Sequence, residues 1–434
     1  FTQNILLGIF LFIYILMTGL RASVLRASFL VMTYRIFKQF NLELEFSGLI
    51  SIVLFLVLLV NPYQLFSIGL QLSFLVLLMI VSWTEILQKY FHPLLAVSIA
   101  AQLGSIPLTA YYFNTVTPAG IITNLWAIPL VSVIVFLVLT HFSFYLLIPS
   151  ISNITGKLIY LISTLLKKGI NIMSDLPAAE IMVFTPSLVN VFLGYLFLFL
   201  LAYLIKIKDN IKFRKRYQIL KYVSIVVFII ITFVLILPPK SNNLLNIYCL
   251  DVGQGDSIFV KTPENKTLLI DTGKATPGGS QVQNTIIPFL LNKRIRTIDY
   301  LIISHFDGDH CSKADYLIEN GFVKNLVLSK NFDSEYKKTQ KIIKKAKEKG
   351  IRILTVKEKD LLNLSETKIE FLAPLQDKKR DNRNNNSVVF RLNYKDFEML
   401  FPGDIEKEVE TDLIKNIPAQ FIKADILKAA HHGS

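Results

Sequence analysis

Charge is scarce in this chain: of 434 residues only 18% are Asp, Glu, Lys or Arg, where about a quarter is usual in soluble domains. Apolar residues make up 52% and mean hydropathy is +0.48, which excludes a single ordinary soluble domain and puts part of the chain in lipid. Cysteine is limited to Cys249 and Cys311, ruling out a disulfide scaffold and a four-cysteine zinc module. The 19 glycines and 16 prolines are at or below average frequency, so the chain is not collagen-like, linker-like or broadly disordered. The net charge of +14 invites a nucleic-acid reading, but it must first be divided between a membrane part and a soluble part.

Up to about residue 237 the chain is a succession of apolar runs. Residues 5–20, 65–83, 188–205 and 222–237 approach or reach the roughly 20 residues that cross about 30 Å of hydrocarbon. Residues 121–148 fit one tilted helix or a tight hairpin, and 49–60 a short span within a bundle. The expectation is about seven to nine spans. Residues 21–40 and 156–173 mix cations with apolar side chains and suit helices lying along the interface. The chain opens inside an apolar run without a cleavable leader, so a missing natural N-terminus is expected.

After Pro238-Pro239-Lys240-Ser241-Asn242 the composition turns charged and alternating, which places a domain boundary between 1–239 and 240–434. Before it, Lys206, Lys208, Lys212, Arg214, Lys215, Arg216 and Lys221 face a single Asp209; beside apolar spans such a cluster reads as cytoplasmic. One more crossing, 222–237, then delivers the soluble part to the outer face. Topology thus accounts for much of the positive charge without nucleic acid. The soluble part reads as short strands at 246–251, 257–262, 267–271 and 298–304, a helical pattern at 282–292, a charged helix at 333–349, paired strands at 387–394 and 397–402, and a helix after Asp404. That order predicts an α+β fold with two sheets.

Four of the six histidines fall in two short clusters of this soluble part. The first, Ser304-His305-Phe306-Asp307-Gly308-Asp309-His310, follows the apolar strand Leu301-Ile302-Ile303, so four potential ligands gather where the backbone turns. Two carboxylates with two imidazoles suit zinc, manganese or similar divalent ions. Three further pieces agree: Leu250-Asp251-Val252-Gly253-Gln254-Gly255-Asp256-Ser257, with carboxylates at both lips of a glycine turn; Phe401-Pro402-Gly403-Asp404 at a strand end; and Ala430-His431-His432-Gly433-Ser434. Singly each has a plainer reading: a solvated acidic turn, a Gly-Asp hairpin turn, a cloning remnant at a chain end. Together they form a set.

That set resembles the metallo-β-lactamase superfamily, whose αββα sandwich gathers metal ligands at strand ends. The superfamily signature His-x-His-x-Asp-His is matched by His305, Asp309 and His310, with Asp307 in place of the second histidine. The resemblance implies His305 and Asp307 on one metal, Asp309 and His310 on the other, Asp404 bridging, and His431 or His432 completing the second. A further histidine that the superfamily supplies is missing, for none occurs from Cys311 to Ala430; Asn385, Asn386 and Ser387 lie where it is expected.

The pairing with a polytopic region narrows the resemblance to the ComEC-type competence proteins. It is carried by Ser23-Val24-Leu25-Arg26-Ala27-Ser28, Gln71-Leu72-Ser73-Phe74, Gln102-Leu103-Gly104-Ser105-Ile106-Pro107 and the run through Pro118, Asn124 and Pro129, then by the Gly-Gln-Gly-Asp, His-x-Asp-x-Asp-His and His-His-Gly-Ser elements. In that family aspartate replaces the second histidine as here. No counterpart of the family's N-terminal OB-like domain is expected within residues 1–434, and the hydrolase domain is expected to continue past Ser434.

The resemblance implies a multi-pass cell-membrane protein. Residues 1–239 would form a channel for single-stranded DNA in natural transformation, and an extracytoplasmic hydrolase domain, 240–434, would degrade the other strand with one or two Mn or Zn ions. Catalysis would rest on Asp309, Asp404 and His432, supported by Asp251, Gln254 and Asp256 around the ligands. Arg26, Gln71, Gln102 and Asn124 are channel candidates, polar residues in apolar surroundings; their plainer role is snorkelling or helix-to-helix hydrogen bonding. Lys378, Lys379, Arg380 and Arg383 form a basic loop suited to a phosphate backbone. Expected partners are DNA, lipid, an extracytoplasmic DNA receptor, a cytoplasmic DNA translocase and further copies of the chain. Two alternatives stand: a lactamase-like domain that only binds or gates, and a membrane-anchored metallohydrolase of small substrates.

Overall fold

A computed structural model describes residues 2–19, 21–42, 45–145, 148–208, 214–236, 243–276, 279–375 and 380–433. The expected boundary at 239/240, Asp209 and Lys212 of the basic loop, and Lys378 and Lys379 lie outside the described residues. The chain divides into two compact units, Phe1–Leu237 and Pro238–Ser434.

The first unit is helical because its apolar runs must satisfy their backbone groups internally. Its helices are α1 (Thr2–Met17), α2 (Ala22–Gln39), α3 (Phe46–Val60), α4 (Ile68–Leu87), α5 (Pro93–Phe113), α6 (Ala119–Phe144), α7 (Pro149–Ser174), α8 (Leu188–Ile207) and α9 (Arg214–Ile236). Among the described residues five helices are long and apolar enough to cross a membrane: α4, α5, α6, α8 and most of α9. The apolar α1 and α3 have 16 and 15 residues, and at 1.5 Å per residue each covers only about 22–24 Å. The cation-bearing runs at 21–40 and 156–173 fall in α2 and α7. Of the run 121–148, left open between helix and hairpin, residues 121–144 lie in α6 as one helix through Pro129, with large side chains such as Phe136 and Phe142 exposed, as lipid contact requires.

The packed centre of this unit joins α4, α5 and α8 through Met79, Trp83, Ala100, Val191 and Tyr195. Gly104 makes the approach possible: a Cβ there would lie 2.8 Å from Val76 Cα. The Tyr195 hydroxyl donates to the Gly104 carbonyl at 2.8 Å. The loops after α5 and α7 are tied by a two-residue antiparallel ladder, β1 (Thr115–Val116) with β2 (Ile181–Met182). Asn114 turns into this ladder at φ 59° and donates to Thr185 Oγ1 at 2.7 Å.

The second unit is built on two sheets. Its strands run β3 (Asn246–Cys249), β4 (Ile258–Lys261), β5 (Thr267–Ile270), a short hairpin β6 (Ala275–Thr276) and β7 (Gly279–Ser280), β8 (Ile298–Ile303), β9 (Val323–Ser329), β10 (Arg352–Val356), β11 (Leu361–Leu364), β12 (Thr367–Ala373), β13 (Val389–Tyr394), β14 (Phe397–Phe401) and β15 (Ile426–Leu427). One sheet has the order β10-β9-β8-β5-β4-β3 and the other β11-β12-β13-β14-β15. The paired parallel strands β5 and β8 (Thr267–Ile270 and Ile298–Ile303) carry the buried apolar runs Leu268-Leu269-Ile270 and Leu301-Ile302-Ile303, as central strands covered on both faces do. Ile258, Val260, Leu268, Ile302 and Val327 of the first sheet pack on Ile369, Phe371, Phe390, Leu392 and Phe401 of the second. Helices α10 (Ile287–Asn292), α11 (Ala314–Glu319), α12 (Lys337–Glu348), α13 (Lys407–Asn416) and α14 (Ala419–Ile422) complete the unit. On α13, Val409 and Leu413 cover Val389 and Leu400. The result is the expected sandwich of sheets and helices.

Candidate metal centre

The ends of β5, β8 and β14 meet at one point, with the Asp256 turn and the final residues beside them. The site's hub is Asp271, directly after β5 and buried, with φ 60°. Its Oδ1 accepts from the Ser304 amide at 2.8 Å and its Oδ2 from Ser304 Oγ at 2.7 Å. Oδ2 also lies 2.9 Å from His310 Nδ1. Those bonds fix the His310 ring, whose other nitrogen, Nε2, points at Asp404 Oδ2 at 2.9 Å. A carboxylate behind a histidine is the usual device for orienting a metal-binding imidazole.

Around this nitrogen one ligand atom each from Asp256, His310, Asp404 and His432 gathers, all within 4.8 Å of one another. His432 Nε2 is 3.3 Å from Asp404 Oδ2, and its Nδ1 3.6 Å from Asp256 Oδ1. Lys428 closes the back of the cluster: its ammonium pairs with Asp256 Oδ2 and lies 3.3 Å from Asp404 Oδ1. Each of these two carboxylates therefore gives one oxygen to Lys428 and keeps the other toward the cluster. Two imidazoles and two carboxylates with converging donor atoms fit a divalent ion of the zinc or manganese kind.

Backbone geometry holds these groups in place. The turn carrying Asp256 lies against the Asp309 carbonyl, which accepts from the Asp256 amide at 3.4 Å. Gly255 sits at φ +118°, and a Cβ there would run into that carbonyl oxygen. His431 and His432 both take left-handed backbone, φ 45° and 56°, a strained choice of the kind that concentrates at functional sites.

Electrostatics sharpen the picture. Burial pushes the His310 imidazolium toward deprotonation, but the charge and hydrogen bonds of Asp271 and Asp404 outweigh it and hold its pKa up at about 10. Burial, reinforced by the charge on His310, pushes His305 down to about 4. Asp404 is buried, which disfavours its charge, yet the hydrogen bond and charge of His310 and the charge of Lys428 keep its carboxyl well below the usual range. The Cys311 thiol is pushed up to about 12 by burial, which leaves it a packing residue rather than a thiolate ligand.

The expected residues separate into two groups. His310, Asp404 and His432 come together, joined by Asp256, which the sequence placed in a supporting role. Asp309 stands at the rim, its Oδ2 3.8 Å from His432 Nε2. His431 is outside the set of four, its ring centroid 6.2 Å from that of His432. His305 stacks beside His310, ring centroids 4.2 Å apart, but turns Nδ1 to Ser304 Oγ at 3.0 Å and holds Nε2 3.9 Å from Asp307 Oδ2. Asp307 Oδ1 is engaged by Arg383 Nε at 2.6 Å. Asp251 accepts from the Gly253 amide at 3.2 Å, and Gln254 Oε1 accepts from Lys274 at 3.2 Å; both belong to the turn rather than to the histidines. Sequence reasoning missed Asp271 and Lys428. For Asp271 the signal was an acid directly after the apolar strand Leu268-Leu269-Ile270, the same strand-end position that singled out Asp404.

In the first unit Arg26 lies buried on α2, close to where a Gly69 Cβ would be, with Nε and Nη1 unpartnered. Gln71 Oε1 accepts from Tyr112 at 2.8 Å and Nε2 donates to the Leu65 carbonyl at 3.0 Å. Gln102 on α5 sets its Oε1 against Gly120, and Asn124 is half-buried on α6.

Comparison with known proteins agrees on both units. Residues 1–208 match the model of the competence protein family, and residues 250–434 that of the metallo-beta-lactamase superfamily. The chain thus joins a stretch similar to the competence protein family to one similar to the metallo-beta-lactamase superfamily. It is 31% identical to ComE operon protein 3 of Bacillus subtilis (strain 168) over 99% of this chain and 56% of that protein. It is 22% identical to Recombination protein 2 of Haemophilus influenzae over 76% and 41% of the two chains. With Competence protein ComA of Neisseria gonorrhoeae it shares 26% identity over 45% and 24%. The chain thus spans about half or less of the length of these relatives. Homology and the five apolar helices make it a membrane protein.

Proposed function

We propose that this protein serves DNA uptake, its helical unit passing a single strand across the cell membrane while its second unit, on the outer side, hydrolyses phosphodiester bonds of the strand left behind. The observation that carries the hydrolase reading is the convergence of Asp256, His310, Asp404 and His432 within 4.8 Å. A divalent ion held there supplies Lewis acidity toward a phosphodiester. The chain's own groups do the rest: Asp271 orients His310, Lys428 holds the outer carboxylate oxygens, and His431 and Asp309 stand at the rim, where a proton or a water can be passed. Arg26, buried and with donors to spare, is the strongest candidate to meet phosphate within the helical unit. The basic residues around 206–221 would face the cytoplasm, where a DNA translocase would act, with a DNA receptor on the other side.

The test uses the full chain in detergent with end-labelled linear duplex DNA and Mn²⁺. Metal-dependent degradation is expected, abolished by His432→Ala. A second reading, a domain that binds or gates without hydrolysis, draws support from Asp307, which is spent on Arg383 rather than left to a metal. It prevails if the chain binds DNA and Mn²⁺ yet leaves the DNA intact.

A further inference from the structure

Beside the four-donor cluster lies the position where His305 and Asp307 were expected to hold a second ion, and that position is differently built. Arg383 reaches into it, its Nε 2.6 Å from Asp307 Oδ1 and its guanidinium carbon 4.4 Å from the centre of the Tyr336 ring. The contact with Asp307, partly offset by burial, holds the guanidinium pKa above its ordinary value. Asp404, expected to bridge, already turns Oδ2 to His310 and His432 and Oδ1 to Lys428, and among the described residues the side chains at the place of the missing histidine are engaged. Asn385 Oδ1 accepts from the Glu406 amide at 3.0 Å. The Asn386 side chain accepts from the Arg380 amide at 3.0 Å and donates to the carbonyls of Arg380 and Asn382 at 2.6 and 2.9 Å. Ser387 Oγ accepts from the Asp404 amide at 3.4 Å. Asn386 thus holds its own loop together, while Asn385 and Ser387 tie that loop to the backbone of Glu406 and Asp404. One imidazole and one carboxylate oxygen are too few for a tight divalent site, which takes at least three protein ligands.

We propose that this unit binds a single divalent ion, among Asp256, His310, Asp404 and His432, and that the guanidinium of Arg383 serves as the fixed second cation, positioned by Asp307 to receive a phosphodiester oxygen. Arginine suits the role: it stays charged, and its planar donors match phosphate. Its side chain is 40% exposed, so the donors not facing Asp307 are open to a ligand. The phosphate half of the proposal rests on the hydrolase reading above; the stoichiometry does not.

Two measurements on the full chain in detergent separate these halves. Mn²⁺ counted by equilibrium dialysis should saturate at one ion per chain, and electron paramagnetic resonance of the saturated protein should show an isolated six-line spectrum. A second ion with an exchange-coupled spectrum overturns the proposal whether or not DNA is cut. Arg383→Met should keep that one ion at unchanged affinity and bind a short single-stranded oligonucleotide about tenfold more weakly, the loss of one charge-assisted contact, with Arg383→Lys partly restoring it. Oligonucleotide binding by Arg383→Met equal to that of the unaltered chain refutes the phosphate role, and a change in its ion count refutes the claim that Arg383 stands apart from the ligands.

Discussion

Asp271→Asn is the sharpest test of how the metal centre is held, because Asp271 is not one of the four donors. The change keeps shape and volume but replaces an acceptor-only group by one that must present an NH₂ on one side. Oδ1 now accepts from the Ser304 amide, and Oδ2 from Ser304 Oγ while facing His310 Nδ1. Whichever way the amide is turned, its NH₂ meets a group that donates to Asp271 now, the Ser304 amide or His310 Nδ1, at a fully buried site. Leaving one such donor unsatisfied costs about 1–3 kcal/mol. Loss of the carboxylate behind a ligand histidine typically weakens metal binding 10- to 100-fold, or about 1.4–2.7 kcal/mol. Isothermal titration of Mn²⁺ into the full chain in detergent, compared with Asp271→Asn, reads the second quantity. An affinity unchanged within about twofold would falsify the claim that His310 is held by Asp271, and with it the geometry on which the centre depends.

Other expectations follow from the same contacts. Gly255→Ala must move the Asp256 turn off the Asp309 carbonyl, so Mn²⁺ affinity should fall by about tenfold or more, as for loss of a supporting contact, while the sheets survive; retained affinity would show that Asp256 is no ligand. Phe390→Ala, in the centre of the sandwich, should destabilise the second unit by about 3–5 kcal/mol, seen as faster hydrogen exchange in Ile298–Ile303. The metal-free protein should be most stable near pH 6.5, the ordinary histidine value. Below it the unfolded chain takes up a proton that His305, held down at about 4, refuses, so stability falls as pH drops. Above it the unfolded chain has released a proton that His310 keeps until about 10, so stability falls again as pH rises. Hydrogen exchange of the same strand in EDTA from pH 5 to 9 checks this, and protection that changes in one direction only would contradict it.

Much of the second unit was legible because its strands are short, apolar and bounded by turn residues. The readings at 298–304, 387–394 and 397–402 end within two residues of the observed strands Ile298–Ile303, Val389–Tyr394 and Phe397–Phe401. His310, Asp404 and His432 were legible for a related reason: each directly follows an apolar strand or closes a turn, where side chains leave the core. Asp271 and Lys428 were not, because what matters about them is partnership. An acid after β5 and a lysine after β15 look like ordinary strand ends until the fold sets them against His310 and Asp404. The contact of Asp307 with Arg383 was hidden for the same cause, since the two are 76 residues apart. In the first unit the described residues hold five helices long and apolar enough to cross, with α1 and α3 apolar but shorter, because apolar composition does not report where a helix ends.

The charge arrangement explains how such a centre can fold before it meets its ion. Asp256, Asp271, Asp309 and Asp404 crowd around one point, Asp271 and Asp404 buried and the other two partly exposed, and left alone these carboxylates would repel one another. Two cations answer them in the metal-free chain: the Lys428 ammonium between Asp256 and Asp404 and the extra proton on His310 between Asp271 and Asp404. Lys428 binds the outward oxygens and can stay when a metal enters. The proton cannot, because it sits on Nε2, the atom the metal needs. Binding therefore exchanges one proton for a doubly charged ion. Between pH 6 and 8, with His310 titrating near 10, the apparent Mn²⁺ affinity should climb about tenfold per pH unit with one proton released per ion. Calorimetry in buffers of different ionisation enthalpy counts that proton directly. A count near zero would mean that His310 is already neutral, and that the cluster is kept together by something other than the proton assigned to it.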